Sequence, residues 1–189
     1  SRGQLTRVEY PDGTFLAYTY DASGNMLTAT NQEGTISFEY DTRNQPVRIL
    51  YPGDNSFNYT FNNAGLLTER TEKDGYKTVY SYDDVGNLIG VADGTGSVIV
   101  SYAYDTAGKL IRKAVRNGAH TTYEYDTAGQ ILRLVNFNKD GTVLSRFEYT
   151  YDAAGNPIEI NTVEGRYQYE YDAIGQLTSV TYPDGLITH

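Results

Sequence analysis

With 189 residues, a formal net charge of −9 and a pI near 4.6, the chain lacks the basic footprint that a nucleic-acid or anionic-membrane partner requires. It has no cysteine, which excludes disulfides and thiolate metal sites, and no apolar run approaching the roughly 18 residues of a membrane-spanning helix. Its 19 tyrosines and 6 phenylalanines, with no tryptophan, point to ordered β-structure, because an acidic disordered chain is poor in aromatics.

The first stretch, "GQLTRVEYPDG" at residues 3–13, carries no signal-peptide pattern, and its "GQLT" returns at residues 175–178. The sequence is therefore expected to begin inside a repeating unit of a longer protein, and "YPDGLITH" at the other end to break off inside another. The unit itself opens at residue 20 with "YDASGNML", followed by "YDDVGNLI" at 82, "YDTAGKLI" at 104, "YDTAGQIL" at 125, "YDAAGNPI" at 151 and "YDAIGQLT" at 171. Two more degenerate copies start at Tyr40 and Phe61, so that eight anchors mark the chain: Tyr20, Tyr40, Phe61, Tyr82, Tyr104, Tyr125, Tyr151 and Tyr171. Their spacing is 20 to 22 residues except for one step of 26, between Tyr125 and Tyr151. That period is too short for helix-pair repeats of roughly 33 to 45 residues and suits two strands of about five or six joined by two turns.

Within each unit the residues before the anchor alternate. Two positions upstream stand Tyr18, Phe38, Tyr59, Tyr80, Tyr102, Tyr123, Tyr149 and Tyr169, all aromatic; the intervening position is small or polar in every copy. Period two predicts a strand with an aromatic face turned inward and a polar face toward water. Asp then follows the anchor in all copies but one, where Asn62 stands, and Gly lies four after the anchor in all but one, where Asn44 stands. An Asp or Asn oxygen can accept from the backbone two residues on, and Gly or Asn tolerates positive φ, so the octet predicts a strand end and a hairpin turn with a bulge. On the return strand, apolar residues dominate three and five positions after the glycine, as in Leu27 and Ala29 or Ile158 and Ile160, with Arg70 and Lys113 as exceptions. A second turn is predicted at "PDGT" 11–14, "QEGT" 32–35, "KDGY" 73–76, "RNGA" 116–119, "KDGT" 139–142 and "PDGL" 183–186.

The fold class is thus all-β: tandem antiparallel hairpins of about 21 residues forming one curved or spiralling array over residues 1–189. A lone hairpin is marginal in water. Burying one tyrosine removes roughly 150–250 Å² from water, an upper estimate of about 4–6 kcal/mol, so rings from successive hairpins are expected to share a dry layer.

The unit Tyr-Asp-x-x-Gly-[Asn/Gln/Lys]-[Leu/Ile], with its Asp-Gly or Asn-Gly turns and the "YPDG" at Tyr10–Gly13 and Tyr182–Gly185, resembles the YD repeat of RHS proteins over essentially the whole chain. That family includes bacterial polymorphic toxins, the C components of insecticidal toxin complexes, wall-associated proteins and the teneurin shell. The resemblance implies a secreted or cell-surface protein of bacterial origin, part of a larger chain, in which the repeats spiral into a hollow shell around a C-terminal toxin or effector domain. The family's self-cleaving core motif has no counterpart among these residues, so what carries over is the wall: Tyr-Asp anchors, turn glycines and "YPDG" corners. The implied partners are that enclosed domain and neighbouring repeats; no cofactor or metal is implied, and no catalytic residue.

Other readings rest on fewer residues. An enzyme would have to use His120, His189 or the turn aspartates, and the spacing offers no nucleophile–base pair. Rows of Asp and Asn at turn tips present hard oxygen ligands, yet neither an EF-hand loop nor a calcium-binding nonapeptide is present. Tyrosine ladders also suit carbohydrate, which makes a glycan-binding or protein-binding adhesion module the main alternative. Open edge strands are expected to promote self-association.

Overall fold

The computed structural model describes residues 3–189; Ser1 and Arg2, the first residues of the expected repeat fragment, lie outside the described residues. The chain forms two compact units, Ser1–Ser97 and Val98–His189. Strands of the first are β1 (Arg7–Glu9), β2 (Phe15–Tyr20), β3 (Met26–Asn31), β4 (Gly34–Tyr40), β5 (Pro46–Leu50), β6 (Ser56–Phe61), β7 (Leu67–Glu72), β8 (Lys77–Tyr82) and β9 (Leu88–Asp93). Those of the second are β10 (Val98–Tyr104), β11 (Leu110–Val115), β12 (His120–Tyr125), β13 (Ile131–Phe137), β14 (Val143–Tyr151), β15 (Pro157–Thr162), β16 (Arg166–Tyr171), β17 (Leu177–Thr181) and β18 (Ile187–Thr188). Within each unit every strand pairs antiparallel with the next, the expected all-β run of hairpins.

Each Tyr-Asp octet is a strand end followed by a turn. The turn residue four after the anchor has positive φ throughout, from 79° at Gly108 to 98° at Gly24, and Asn44 takes its place at 61°. That is the left-handed conformation which only Gly, and Asn at modest cost, adopts readily. Every hairpin also carries a register shift at its anchor: Thr19 pairs with Thr28 but Tyr20 with Met26, which leaves Leu27 as the extra residue of a bulge, and the pattern repeats at all eight anchors. The 26-residue step is the lengthened β13–β14 hairpin, whose nine-residue β14 has a further bulge at Leu144.

Register between hairpins follows one rule. Tyr18 faces Ala29, and Ala29 faces Ile36, so Ile36 rather than Phe38 lies level with Tyr18. The same advance of two residues recurs through Phe38–Ile49–Phe57 and Tyr59–Arg70–Thr78 in the first unit. In the second it recurs through Tyr102–Lys113–Thr121, Tyr123–Leu134–Phe147 and Tyr149–Ile160–Tyr167. Two residues are roughly 6.6 Å along a strand, against roughly 9.6 Å across two strand spacings, a slant of about 35°.

The expected dry layer requires correction. The intervening polar positions are indeed exposed in all eight copies, Thr19 to Glu170, but the rings two before the anchors are half-buried, not buried. Among the described residues the one fully buried hydrophobic side chain is Val135, at 1% exposure. A sheet without a second layer can shield a ring with its neighbours on either side but leaves its top uncovered. Aliphatic residues three after the glycine, expected in the core, are accordingly exposed: Leu27, Ile89, Ile111, Leu132 and Ile158.

Candidate functional site

The candidate site is not a cleft but the junction between repeats. At each Tyr-Asp turn the Asp side chain, or Asn62, accepts from the backbone N–H four residues on, at 2.8 to 3.0 Å in all eight copies. The bond two residues on, which turn chemistry leads one to expect, is present as well, for example from Arg43 and Ala154 at 2.9 Å. Several of these carboxyls are therefore held below their ordinary value of 3.8. For Asp21, Asp83 and Asp152 the amide side chains of Asn25, Asn87 and Asn156 are the main cause, and for Asp41 it is the Gln45 backbone N–H.

The anchor hydroxyl does something that alternation does not foretell. Tyr20 donates to the carbonyl of Leu5 at 2.9 Å, Tyr40 to Met26 at 2.9 Å and Tyr82 to Leu67 at 2.8 Å. In the second unit Tyr125 donates to Leu110 at 2.9 Å, Tyr151 to Ile131 at 2.8 Å and Tyr171 to Pro157 at 2.9 Å. Apart from Leu5, which precedes β1, each acceptor sits at the bulge of the preceding hairpin, where the ladder is locally disrupted and a carbonyl lacks its usual strand partner. Tyrosine at the anchor is thus a staple between repeats, and partial burial raises the hydroxyl pKa of Tyr40, Tyr82, Tyr125, Tyr151 and Tyr171 above 10.0. Phe61 has no hydroxyl; there the junction is held instead by Gln45, donating to the Gly65 carbonyl at 3.0 Å, and by Arg43, donating to the carbonyls of Asn62 and Asn63 at 3.3 and 3.2 Å.

The residue after the turn glycine adds a strut. Gln4 reaches the carbonyl of Gly24 at 3.0 Å, Gln130 that of Gly155 at 3.4 Å, and Asn25 the side-chain oxygen of Asn44 at 2.7 Å. This explains why the octet prefers Asn, Gln or Lys there. The signal was visible as a recurrent polar residue after Gly, but its partner lies a full repeat away.

The ringed face carries few ring–ring contacts of its own: Tyr51 meets Phe57 edge-on at 6.0 Å, Tyr149 lies near-parallel to Tyr151 at 6.2 Å, and Tyr167 meets Tyr182 at 5.8 Å. Of the residues weighed for catalysis, His120 stacks on Phe137 at 4.7 Å with a ring nitrogen 3.4 Å from the Gly118 carbonyl, and His189 is exposed at the chain end. Among the described residues no group of three or more His, Asp or Glu side chains is placed to hold a metal ion, and no helix is long and apolar enough to cross a membrane.

Comparison with known proteins agrees with this geometry. A family model described as Teneurin YD-shell matches residues 1–123, and one described as RHS Repeat matches residues 104–143 and 151–187. The fold is similar to a chain in the crystal structure of TcdB2-TccC3-TEV, with a TM-score of 0.77 at 20% identity over 94% of this chain and 11% of that one. It is also similar to a chain of the Photorhabdus luminescens Tc holotoxin pore, with a TM-score of 0.60 at 19% identity over 94% of this chain and 12% of that one. The chain thus spans about a tenth of the solved chains it matches. No curated protein matches the sequence.

Proposed function

As the chain belongs to the teneurin YD-shell family, we propose that it is a stretch of the wall of a hollow shell that encloses a toxin or effector domain of a large secreted or cell-surface protein. The observation that carries this reading is the constant two-residue advance at six repeat junctions. A slant of about 35° falls within the strand tilt of closed β-barrels, roughly 35–45°, so a strip built on it winds instead of running flat. A wall needs rigidity at its seams and no chemistry of its own, and the staples and struts supply the former. Its partners are the neighbouring repeats and the enclosed domain, and it works without cofactor or metal. The test uses the whole parent protein under native proteolysis: the enclosed domain should resist digestion until the wall is opened by acid. Immediate digestion of that domain in the intact protein overturns the reading.

One observation favours a second reading, an adhesion module for glycans or a protein partner: the rings are half-exposed along the face. A glycan array with strong binding that is lost in Tyr149→Ala and Tyr169→Ala would reverse the ranking. The end strands are short, β1 of three residues and β18 of two, a form that blunts open edges. The 189-residue segment is still expected to associate through them or to bury them with a loop, and a clean monomer by light scattering with both edge strands open would contradict this.

A further inference from the structure

Two residues break the apolar pattern of the ringed face, and the structure treats them differently. Five positions after the turn glycine, opposite an aromatic ring, six hairpins carry Ala29, Ile49, Val91, Leu134, Ile160 and Val180. The other two carry Arg70, opposite Tyr59, and Lys113, opposite Tyr102. Arg70 is compensated by neighbours on β7 and β6. Its Nη2 donates to Glu72 at 2.7 Å, and its guanidinium carbon lies 5.2 Å from the centre of the Phe57 ring. Two residues beyond Lys113 stands Val115, and among the described residues Lys113 makes no ion pair.

Lys113 borders a hollow of about 330 Å³ also lined by Val115, Thr121, Tyr123, Asn136 and Leu144. Leu144 is the extra residue of the bulge in the lengthened β13–β14 hairpin and is 60% exposed. Insertions in repeat arrays gather on one face, often the binding face. Two polar side chains of the hollow are already engaged: Thr121 Oγ1 donates to Asn136 Oδ1 at 2.7 Å, and Asn136 Nδ2 donates to Ser145 Oγ at 2.8 Å. What remains is the exposed Lys113 ammonium at the rim and the His120 ring, stacked on Phe137, beside the apolar side chains of Val115, Ala119 and Leu144. The surrounding charge has the same sign, since residues 106–123 include Lys109, Arg112, Lys113 and Arg116 and no acidic residue, in a chain of net charge −9.

We propose that this hollow takes a carboxylate carried on an apolar stretch of polypeptide, with Lys113 as its ion-pair partner. The proposal rests on the reading of the chain as a wall whose ringed face is left open to what it encloses, and it names the chemistry of one contact. Charge complementarity selects the carboxylate, and the apolar surroundings strengthen a charge-assisted bond once water is displaced. The mutual bonding of Thr121, Asn136 and Ser145 disfavours a sugar, whose hydroxyls would find those groups taken. Lys113 also stands where six other hairpins carry an apolar residue, a departure from the local pattern of the kind that function concentrates on.

The test titrates the whole chain with a synthetic acetylated peptide of leucine and phenylalanine bearing one central glutamate, and with its glutamine twin, following the backbone NMR signals of Val115, Thr121 and Tyr123. The glutamate peptide should bind about tenfold more tightly, the scale of one hydrogen bond to a charged group. Lys113→Met should erase that difference while keeping the fold, checked by its circular dichroism and an unchanged or raised melting temperature. Arg70→Met should leave the difference intact. Equal affinity of the twins, or no binding of either at these residues, overturns the proposal, and so does displacement of the peptide by glucuronate. Protection of the enclosed domain in the parent protein would be untouched by any of these outcomes, so the two failures remain distinguishable.

Discussion

In each unit the two edges of the sheet are built differently. Along the Tyr-Asp edge every turn has the same length, the same left-handed fourth residue and the same Asp or Asn acceptor, and consecutive turns are tied by tyrosine staples and amide struts. The opposite edge varies. Most of its turns close on one glycine, as at Gly13 or Gly141, whereas Tyr51–Asn55 places Gly53 and Asp54 in succession at φ 78° and 62°. Its cross-repeat contacts include hydrogen bonds, Gln32 Nε2 to the Gly13 carbonyl at 3.3 Å and Arg116 Nε to the Val98 carbonyl at 2.9 Å, and close steric approaches: an added Cβ on Gly34 would meet Pro52 Cγ at 2.7 Å, and one on Gly165 would meet Pro183 Cβ at 2.6 Å. Uniformity therefore belongs where the same hydrogen bonds recur between repeats, and the edge where they do not recur is free to change length and carry insertions.

Acid should break the uniform edge in the largest way, because its carboxyls act together. Asp21, Asp41, Asp83 and Asp152 sit below 3.8 when folded, so unfolding at low pH takes up protons. Their contribution to stability is fully present above the ordinary value and is lost as pH falls through the depressed folded values. For the staples the sign reverses. Tyr82, Tyr125 and Tyr151 titrate above 10.0 when folded, so their contribution is present below that value and is lost as pH rises through the raised ones. Circular dichroism against pH should show both limbs, and a β-spectrum unchanged far below pH 3.8 would mean that the turn carboxylates carry no load.

Gly34→Val tests the opposite edge at its tightest point, where φ is +140° and Pro52 is in the way. A cost of about 3 kcal/mol is expected from clash and strain together. Gly141→Val, with φ +85° and no neighbour within 4 Å, should cost only about 1 kcal/mol. Equal losses in denaturant titrations would show that the Gly34–Pro52 contact is idle. Tyr151→Phe should cost about 1 kcal/mol by leaving the Ile131 carbonyl without its donor, whereas Tyr182→Phe on the other edge should change stability by no more than about 0.5 kcal/mol. The smallest effect runs the other way. Phe61→Tyr installs the missing hydroxyl opposite the Pro46 carbonyl and should stabilise by up to about 1 kcal/mol; a melting temperature below that of the parent would mean that Arg43 and Gln45 have taken the space.

Strands and turns were legible in the sequence because both are local. Alternation at Tyr18, Thr19 and Tyr20 needs only the pleat, and positive φ at Gly24 or Asn44 needs only the absence or tolerance of a Cβ. The hydroxyl staples were not legible, since alternation treats Tyr and Phe alike. The one anchor lacking a hydroxyl, Phe61, is the clue that the others use theirs. Nor did the pattern tell that Leu27 or Ile158 would stay exposed, because apolar character records what a residue avoids and not whether anything covers it.

By itself, then, the amino-acid order determined the hairpins: where each strand runs, which residues turn and which side is ringed, all set by interactions within a few residues. Only tertiary pairing decided the two-residue advance between hairpins, the staples whose donors and acceptors stand 14 to 20 residues apart, and the openness of the ringed face. The physical reason is that register is a relation between strands. It is selected by which carbonyl a distant hydroxyl or amide can reach, and no residue encodes that alone.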